Sequence, residues 1–597
     1  MAHDATHAAR GGRYGRRMVT ADEIDPAAFE AVDAVFAAFC GGERTPGISY
    51  GVVIDGAVVH AGAAGVATPG GEGLHVDSVL RIASMTKSFT AAAALALRDD
   101  GLLRLDEPVA SYVPELAAWT MPTRDSPRPT IRMMLAMSAG LPTDDPWADR
   151  EESMLPDEFS ALLASGPWFI ASPGTVFEYS NLGYAIVGRA IGNVAGRPYR
   201  DVVRTTLIEP LGLTSTGFEL SDVPAANVVP GHHRVGQEWV VEPFAAAGEF
   251  SPIGGLFSSV RDLATWVGTF TDAFPARDEH EGPHPLSRAS RREMQQLQRF
   301  TDVTVPPVRA GTVPVRAAAT GYGFGLSITH DTRWGHIAGH SGGYPGYGSH
   351  MRWHPTTGVG VVALANGRYA RAGEPAATAL AMVLASMHAP SAHVTRWSRT
   401  REMQRAVQQL LTSWDDDVAD RAFAANVDTD VARDRRRAEV QAVTAQLGDV
   451  VASGDPRPWS DAAADIAWWI EGSEGRARVE IMLTPQPEPL VQSLSVTFVG
   501  RVADALATAA ASTAAELRTA GPSTDELSAV RQVGAHDEIE CVAWENEHSA
   551  TFRIRVGVDE WRAAIAIDAN TGRLATRAIT PTPPSAHRFD TSGDEIA

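Results

Sequence analysis

The stretch Tyr322–Asn366, YGFGLSITHDTRWGHIAGHSGGYPGYGSHMRWHPTTGVGVVALAN, holds four short β-rich runs separated by turn residues at Asp331, Gly342–Gly346 and Pro355–Gly358. Connections this short leave no room for a crossover helix, so consecutive strands pair antiparallel, as a meander. Far upstream, GISYGVVIDGAVVHAGAAGVA (47–67) reads as two more strands around Asp55-Gly56, a dipeptide suited to a two-residue hairpin turn. Between these regions, from about Ser84 to Trp266, the chain is richer in helix. A sheet whose strands come from both ends, with helices between, predicts an α+β fold.

The rest of the chain divides by texture. Residues 1–25 read as a flexible polar tail and 26–390 as one enzyme-like domain. From about Arg396 to Pro581 come amphipathic helices and then paired strands. ARVEIMLTPQPEPLVQSLSVTFV reads strand, Pro-rich turn, strand. SATFRIRVGVDEWRAAIAIDANTGRLATRAIT reads as three more strands, with turns at Val558–Glu560 and Asn570–Gly572. Two small α+β units of related design are expected, at 391–500 and 501–582, followed by a disordered tail at 583–597. Neither unit contains a grouping of nucleophile and base.

Charge and cysteine content narrow the function. The formal net charge is −21 and no basic tract long enough to follow a phosphate backbone occurs, so nucleic acid is not an expected partner. Two cysteines, Cys40 and Cys541, stand far apart and outside any CxxC or Cys/His cluster; they read as inert core residues of a reducing compartment. The N-terminal segment has arginines with no apolar stretch behind them, and no run of about 18 apolar residues occurs. A cytoplasmic protein with no membrane span is expected. His232-His233 and His330/His336 lack metal-ligand spacing beside carboxylates, so neither metal nor other cofactor is expected.

One residue stands out chemically. Of 51 basic side chains, one alone is lysine, Lys87, in RIASMTKSFT. Ser84 lies three residues earlier, at the start of an apolar helix that Gly101 would end. Positions i and i+3 share a helix face, so the hydroxyl and the amine can meet. A serine is a weak nucleophile until a neighbour removes its proton. Arginine stays protonated and could not do so, whereas a lysine can if burial destabilises its ammonium. Read alone, SxxK recurs by chance and Lys87 could be a surface residue of an arginine-rich chain. FEYSNLGY supplies Tyr179 and Asn181. The phenol could share a proton with the lysine and act as base, while Asn181 could hold Lys87 and donate to a substrate carbonyl. Tyr179 could equally be a core aromatic. GHSGGYPGYG supplies His340, Gly342 and Gly343 at a strand edge entering a glycine-rich turn. A backbone N–H there, with that of Ser84, would form an oxyanion hole, unless the glycines merely serve the turn.

These motifs stand among longer phrases: LRIASMTKSFTA, TIRMMLAMSAGLPTDDPW, SPGTVFEYSNLGYAIVG, IEPLGLTSTGF, SPIGGLFSSVRDLATWV and AGHSGGYPGYGSHMRWHP. From about Phe29 to Met387 the chain resembles the serine β-lactamase and penicillin-binding-protein superfamily, nearest its class C and esterase/D-aminopeptidase-like branch. The resemblance implies an antiparallel sheet flanked by helices, an all-helical subdomain, and a site between them. It implies Ser84 as acyl-forming nucleophile, Lys87 as its activator, Tyr179 as general base and Asn181 as a contact to lysine and substrate. Gly343 would donate the second oxyanion N–H. His340 takes the place where β-lactamases usually carry lysine, and no phrase matches the class A deacylating glutamate.

Both departures shift the expected substrate from penicillins to an ester, an amide or a short peptide. The expectation is therefore a serine hydrolase working through an acyl-enzyme. An acyltransferase or peptide cyclase using the same site, and an idle scaffold, are the alternatives. Asp144, Asp145 and Trp147 could line the cleft or form a capped surface turn. The C-terminal units could cap the cleft, mediate a homo-oligomer or only stabilise.

Overall fold

Asp55 and Gly56 both take left-handed backbone, φ 49° and 85°, the type I′ geometry whose twist matches that of paired strands. In this computed structural model they join β1 (Gly47–Ile54) to β2 (Ala57–Gly65). The structure describes residues 19–41, 44–304, 318–331, 333–387, 389, 394, 396–453, 460, 462–519, 538–546, 548–556 and 559–581. The expected tail at 583–597 lies outside them, as do residues 1–18 of the N-terminal tail and Val558 of the turn expected at Val558–Glu560.

Six further strands complete the sheet: β3 (Arg299–Thr304), β4 (Ala318–Tyr322), β5 (Ser327–Asp331), β6 (Gly335–Tyr344), β7 (Tyr347–His354) and β8 (Val359–Ala365). Their order is β2-β1-β8-β7-β6-β5-β4-β3, antiparallel at every step. Segments far apart in the chain meet where β1 pairs with β8, Val52 opposite Val361. Both of these strands are buried along their whole length, which is why they read as near-continuous apolar runs rather than as alternation.

Helices cover the two faces. On one side α1 (Pro26–Gly41) packs with a C-terminal helix, bringing Val32 and Phe36 against Tyr50, Val52 and Leu380. On the other lie α2 (Thr86–Asp99), α3 (Asn181–Ala195) and α4 (Val260–Thr271); Phe89 and Trp266 stack there, and Phe270 stacks on Trp353 of β7. The helix packed on α1 is α5 (Gly373–Ser386). Residues Thr86–Leu97 of α2 are all buried; its alanine run lets neighbours close in on every side, as a central helix requires. Helices between α2 and α4 gather into the helical part of the fold, its core shared with the sheet's inner face.

Two sequence expectations are corrected. The turn expected at Gly342–Gly346 shortens to Pro345-Gly346, because β6 runs on through Gly342 and Gly343 to Tyr344. A Cβ on Gly342 would collide with the Ile82 carbonyl oxygen and Ser349 Oγ, so this glycine serves a close approach of backbones. Strands β3 and β4 were not expected; β3 is a sheet edge that leaves Phe300 and Val303 exposed, so its alternation is weak.

The C-terminal region holds two sheets, each with strands in chain order. The first, β9–β12 (Val450–Ser453, Asp465–Gly472, Gly475–Leu483 and Val491–Gly500), carries α6 (Ser398–Thr412) and α7 (Arg433–Leu447) around Trp468. The second, β13–β16 (Glu538–Asn546, Ser549–Val556, Asp559–Ile567 and Leu574–Pro581), carries α8 (Asp504–Thr519). Trp469 and Val499 of the first join the core of the second. Cys541 is buried in that second core, while Cys40 is only half-buried. Among the described residues no helix is long and apolar enough to cross a membrane.

Within the helical part, Gly188 of α3 lies against Pro252, where a Cβ would overlap the proline ring. Gly188→Ala is expected to lower stability by about 1–3 kcal/mol, measurable as a shift in the denaturant midpoint; an unchanged midpoint would contradict this packing.

Candidate active site

The segment Leu80–Arg81 pairs with Phe257–Ser258 and then tightens into a 3-10 turn, Ala83–Met85, before α2 begins. Ala83 is fully buried yet has φ 51°, a left-handed conformation that L side chains rarely adopt. Such strain persists only where surrounding packing fixes it, and here it sets the direction of Ser84. Lys87 follows one turn later, fully buried. Its Nζ donates to Ser84 Oγ at 3.0 Å and to the Ile253 carbonyl at 2.8 Å. Burial pushes the amine down to about 8, against the opposing pull of Asp145, Asp149, Asp144 and Glu152, in that order. The ring centroids of Tyr179 and Tyr184 lie 5.0 and 5.8 Å from Nζ.

Tyr179 joins this group. Burial and then the charge of Asp145 hold its phenol well above its ordinary range, and a hydrogen bond with Ser84 opposes them only in part. Its ring meets Tyr322 edge-on at 6.2 Å and lies 6.3 Å from His340. Ser84, Lys87, Tyr179 and His340 therefore converge, although they come from a turn, a helix, a loop and a strand.

His340 is held by its own hydrogen bonds. The Ser341 carbonyl oxygen can only accept, so Nδ1–H donates to it at 2.5 Å; the remaining Nε2 accepts from Tyr322 OH at 2.9 Å. Burial and the Lys87 charge push the imidazole down to about 3. It is neutral at any ordinary pH and both nitrogens are committed. Among the described residues, β5 pairs with β6 only as far as Gly339, opposite Ser327. Gly342 rests on the turn that carries Ser84, and a Cβ on Gly343 would lie 2.8 Å from the Tyr369 ring.

Asn181 departs from expectation. Its Nδ2 donates to Asp145 Oδ1 at 2.6 Å, and among the described residues its buried Oδ1 has no hydrogen-bond partner, Lys87 included. Asp144 explains the local geometry: its carboxylate accepts from the N–H groups of Asn181 and Leu182 at 2.7 and 2.8 Å, capping α3. Trp147 is exposed and meets Phe250 edge-on.

Several site residues carried no signal in the sequence. Ile253 contributes through its carbonyl, which any residue type would supply. Glu152 is a buried hub: its Oε1 accepts from Ser251 Oγ at 2.8 Å and lies 3.8 Å from Arg81, and its Oε2 accepts from Tyr344 OH at 3.5 Å. It thereby braces the approach to Ser84, the turn bearing Ile253 and the end of β6. Glu152, second of two adjacent glutamates in DREESM, follows no motif that would mark it; in the structure, Gly255 leaves room for its approach.

Comparison with known proteins matches this region. The family model described as Beta-lactamase covers residues 32–385. Beta-lactamase-like protein 2 of Dictyostelium discoideum is 27% identical over 231 residues, 36% of this chain; the match spans 40% of that relative's length. The D-alanyl-D-alanine-carboxypeptidase/endopeptidase AmpH of Escherichia coli strain K12 is 26% identical over 295 residues, 48% of this chain and 70% of its own. The octameric penicillin-binding protein homologue from Pyrococcus abyssi superposes with a TM-score of 0.50 at 18% identity, over 92% of this chain and 99% of that one. That likeness of fold extends into the C-terminal units.

The buried amine has a thermodynamic signature. Its folded value, about 8, lies below the 10.5 of a free lysine, so between these values the unfolded chain binds the extra proton and stability rises with pH. The stability advantage of Lys87→Met over the parent is expected to shrink by about 3 kcal/mol between pH 7 and pH 10.5. Urea melts at the two pH values measure it, and a pH-independent difference would contradict the burial of an ammonium.

Proposed function

The chain belongs to the β-lactamase family, and from that premise we propose that it is a serine hydrolase acting on an ester or amide through an acyl-enzyme. The observation that carries this reading is the 3.0 Å contact of a fully buried amine with the Ser84 hydroxyl. An amine titrating near 8 is neutral in a useful fraction of molecules at pH 7. It can then accept the serine proton while still donating to the Ile253 carbonyl.

Ser84 Oγ, relieved of its proton by Lys87, attacks the substrate carbonyl, and the oxyanion takes hydrogen bonds from the N–H groups of Ser84 and Gly343. Tyr179 was expected as the base. A phenol held well above 10 is instead suited to stay protonated, and we assign it the donation of a proton to the leaving group. The Lys87 ammonium then returns its proton to the phenolate, restoring both groups. Water attacks the acyl ester with Lys87 again taking the proton, and Ser84 recovers it as the acid departs.

Substrate chemistry follows from His340. With both nitrogens committed and its ring neutral, it offers no cation to a penicillin-type carboxylate. The likeness to AmpH, a peptidase by name, supports an amide of peptide type.

A fluorophosphonate probe is expected to label the parent and not Ser84→Ala, and Lys87→Arg should lower kcat/KM for a p-nitrophenyl ester by about 10²–10⁴-fold. A folded parent that resists the probe would overturn the reading. Because the neutral amine is the active form, kcat/KM should climb about tenfold per pH unit below about 8 and level off above it; a profile flat from pH 5 to 8 would exclude Lys87 as base.

A further inference from the structure

Gly343, whose N–H is assigned to the oxyanion, lies near the end of β6, where one flank of the strand carries less support. There β7 pairs with β6 through Tyr344, but among the described residues the pairing of β5 stops at Gly339. The residue directly across from Gly343 on β7 is a second glycine, Gly348. Two glycines face to face give this stretch of backbone little side-chain restraint of its own. An oxyanion donor works only if it is aimed before charge develops, so the direction of the Gly343 N–H has to be fixed from elsewhere.

The loop that follows β8 supplies that restraint. A Cβ on Gly343 would meet the Tyr369 ring at 2.8 Å, and one on Gly348 would overlap the Ala370 carbonyl oxygen, so the loop closes on the glycine pair. The Tyr369 N–H donates to the Tyr347 carbonyl at 3.0 Å and to the Tyr344 carbonyl at 3.4 Å, spanning both strands of the hairpin. Tyr369 also holds φ at 49°, a left-handed conformation that a non-glycine residue keeps only under firm restraint. Its side chain is 38% exposed, so apolar burial does not account for that restraint. Its hydroxyl does: it donates to the buried carboxylate of Asp149 at 2.9 Å. Burial and the Asp149 charge hold the phenol well above its ordinary range, so it keeps the proton it donates. Asp149 ends the short helix Asp145–Ala148, on the wall whose carboxylates act on Lys87.

We propose that Tyr369 is a positioning residue for the oxyanion hole: its ring limits how Gly343 can turn its N–H, and its hydroxyl, anchored on Asp149, keeps the ring there. Tyr369 acts through Gly343 and not by touching the reacting carbonyl. The strand that binds the oxyanion is thereby tied to the wall that acts on the base. The proposal rests on the hydrolase reading, with Ser84 as nucleophile and Gly343 as donor.

Sulfur is a weak hydrogen-bond acceptor, so the ratio of kcat/KM for p-nitrophenyl acetate to that for its thiono analogue, C=S in place of C=O, reads the hole itself. Tyr369→Phe keeps the ring and removes its anchor; Tyr369→Ala removes both. Tyr369→Ala should lower kcat/KM for the oxo ester by about 10–10²-fold and shrink the oxo-to-thiono ratio at least about fivefold. Tyr369→Phe should move both in the same direction by less. Gly343→Ala keeps the N–H and sets a methyl group against the ring, so its cost should be at least about fivefold greater in the parent than beside Tyr369→Ala. A ratio unchanged in both Tyr369 variants, which a merely structural role would give, or an equal cost of Gly343→Ala in the two backgrounds, would overturn the proposal while leaving Ser84 labelling by fluorophosphonate intact. If the alanine variant does not fold, the ratio in Tyr369→Phe decides: reduced, it supports the proposal; unchanged, it overturns it. Loss of fluorophosphonate labelling in the parent would sink the hydrolase reading and this proposal with it.

Discussion

A primary amine kept out of water beside a hydroxyl is the constraint around which this fold is arranged. Desolvation works against the ammonium, and four nearby carboxylates work for it. The balance leaves Lys87 near the point where either form is accessible at neutral pH. Arginine could not occupy that position and reach such a balance, which gives a physical reason for one lysine among 51 basic side chains.

Holding the amine in place takes backbone from distant parts of the chain. The strained Ala83 aims Ser84, the Ile253 carbonyl anchors Nζ, and Gly342 lets β6 close on the same turn. Glu152 touches all three approaches through Arg81, Ser251 and Tyr344. A buried acid with such partners costs desolvation energy and returns positional order. The neutral, doubly bonded His340 fits the same logic: it closes the wall without adding a charge that would push Lys87 further down.

Much of this was legible in the sequence, for reasons that differ by element. The hairpin at Asp55-Gly56 and the meander from Ser327 to Ala365 announce themselves through turn chemistry and unbroken apolar runs. Ser84 and Lys87 are legible because helical spacing converts directly into contact. Tyr179 and His340 are brought to them only by tertiary folding, and motif phrases rather than spacing located them. Where the reading fell short, the cause is context. Gly342 was read as turn, but a glycine in a strand can serve close packing instead. Asn181 is expected to contact Lys87 and the substrate; its hydrogen bond to Asp145 is one that no local pattern links to it. Strand β3 and the role of Glu152 depend on neighbours far away in sequence.

The solitary lysine makes the central claim directly measurable. Labelling the protein with [13Cε]lysine yields one side-chain resonance, that of Lys87, and its chemical shift followed from pH 6 to 11 reports the amine's own titration. A midpoint near 8 in the folded protein, moving to about 10.4 on denaturation, is the expected result. A folded-state midpoint above 10 would mean a solvated ammonium, and would contradict an account in which this amine takes the serine proton.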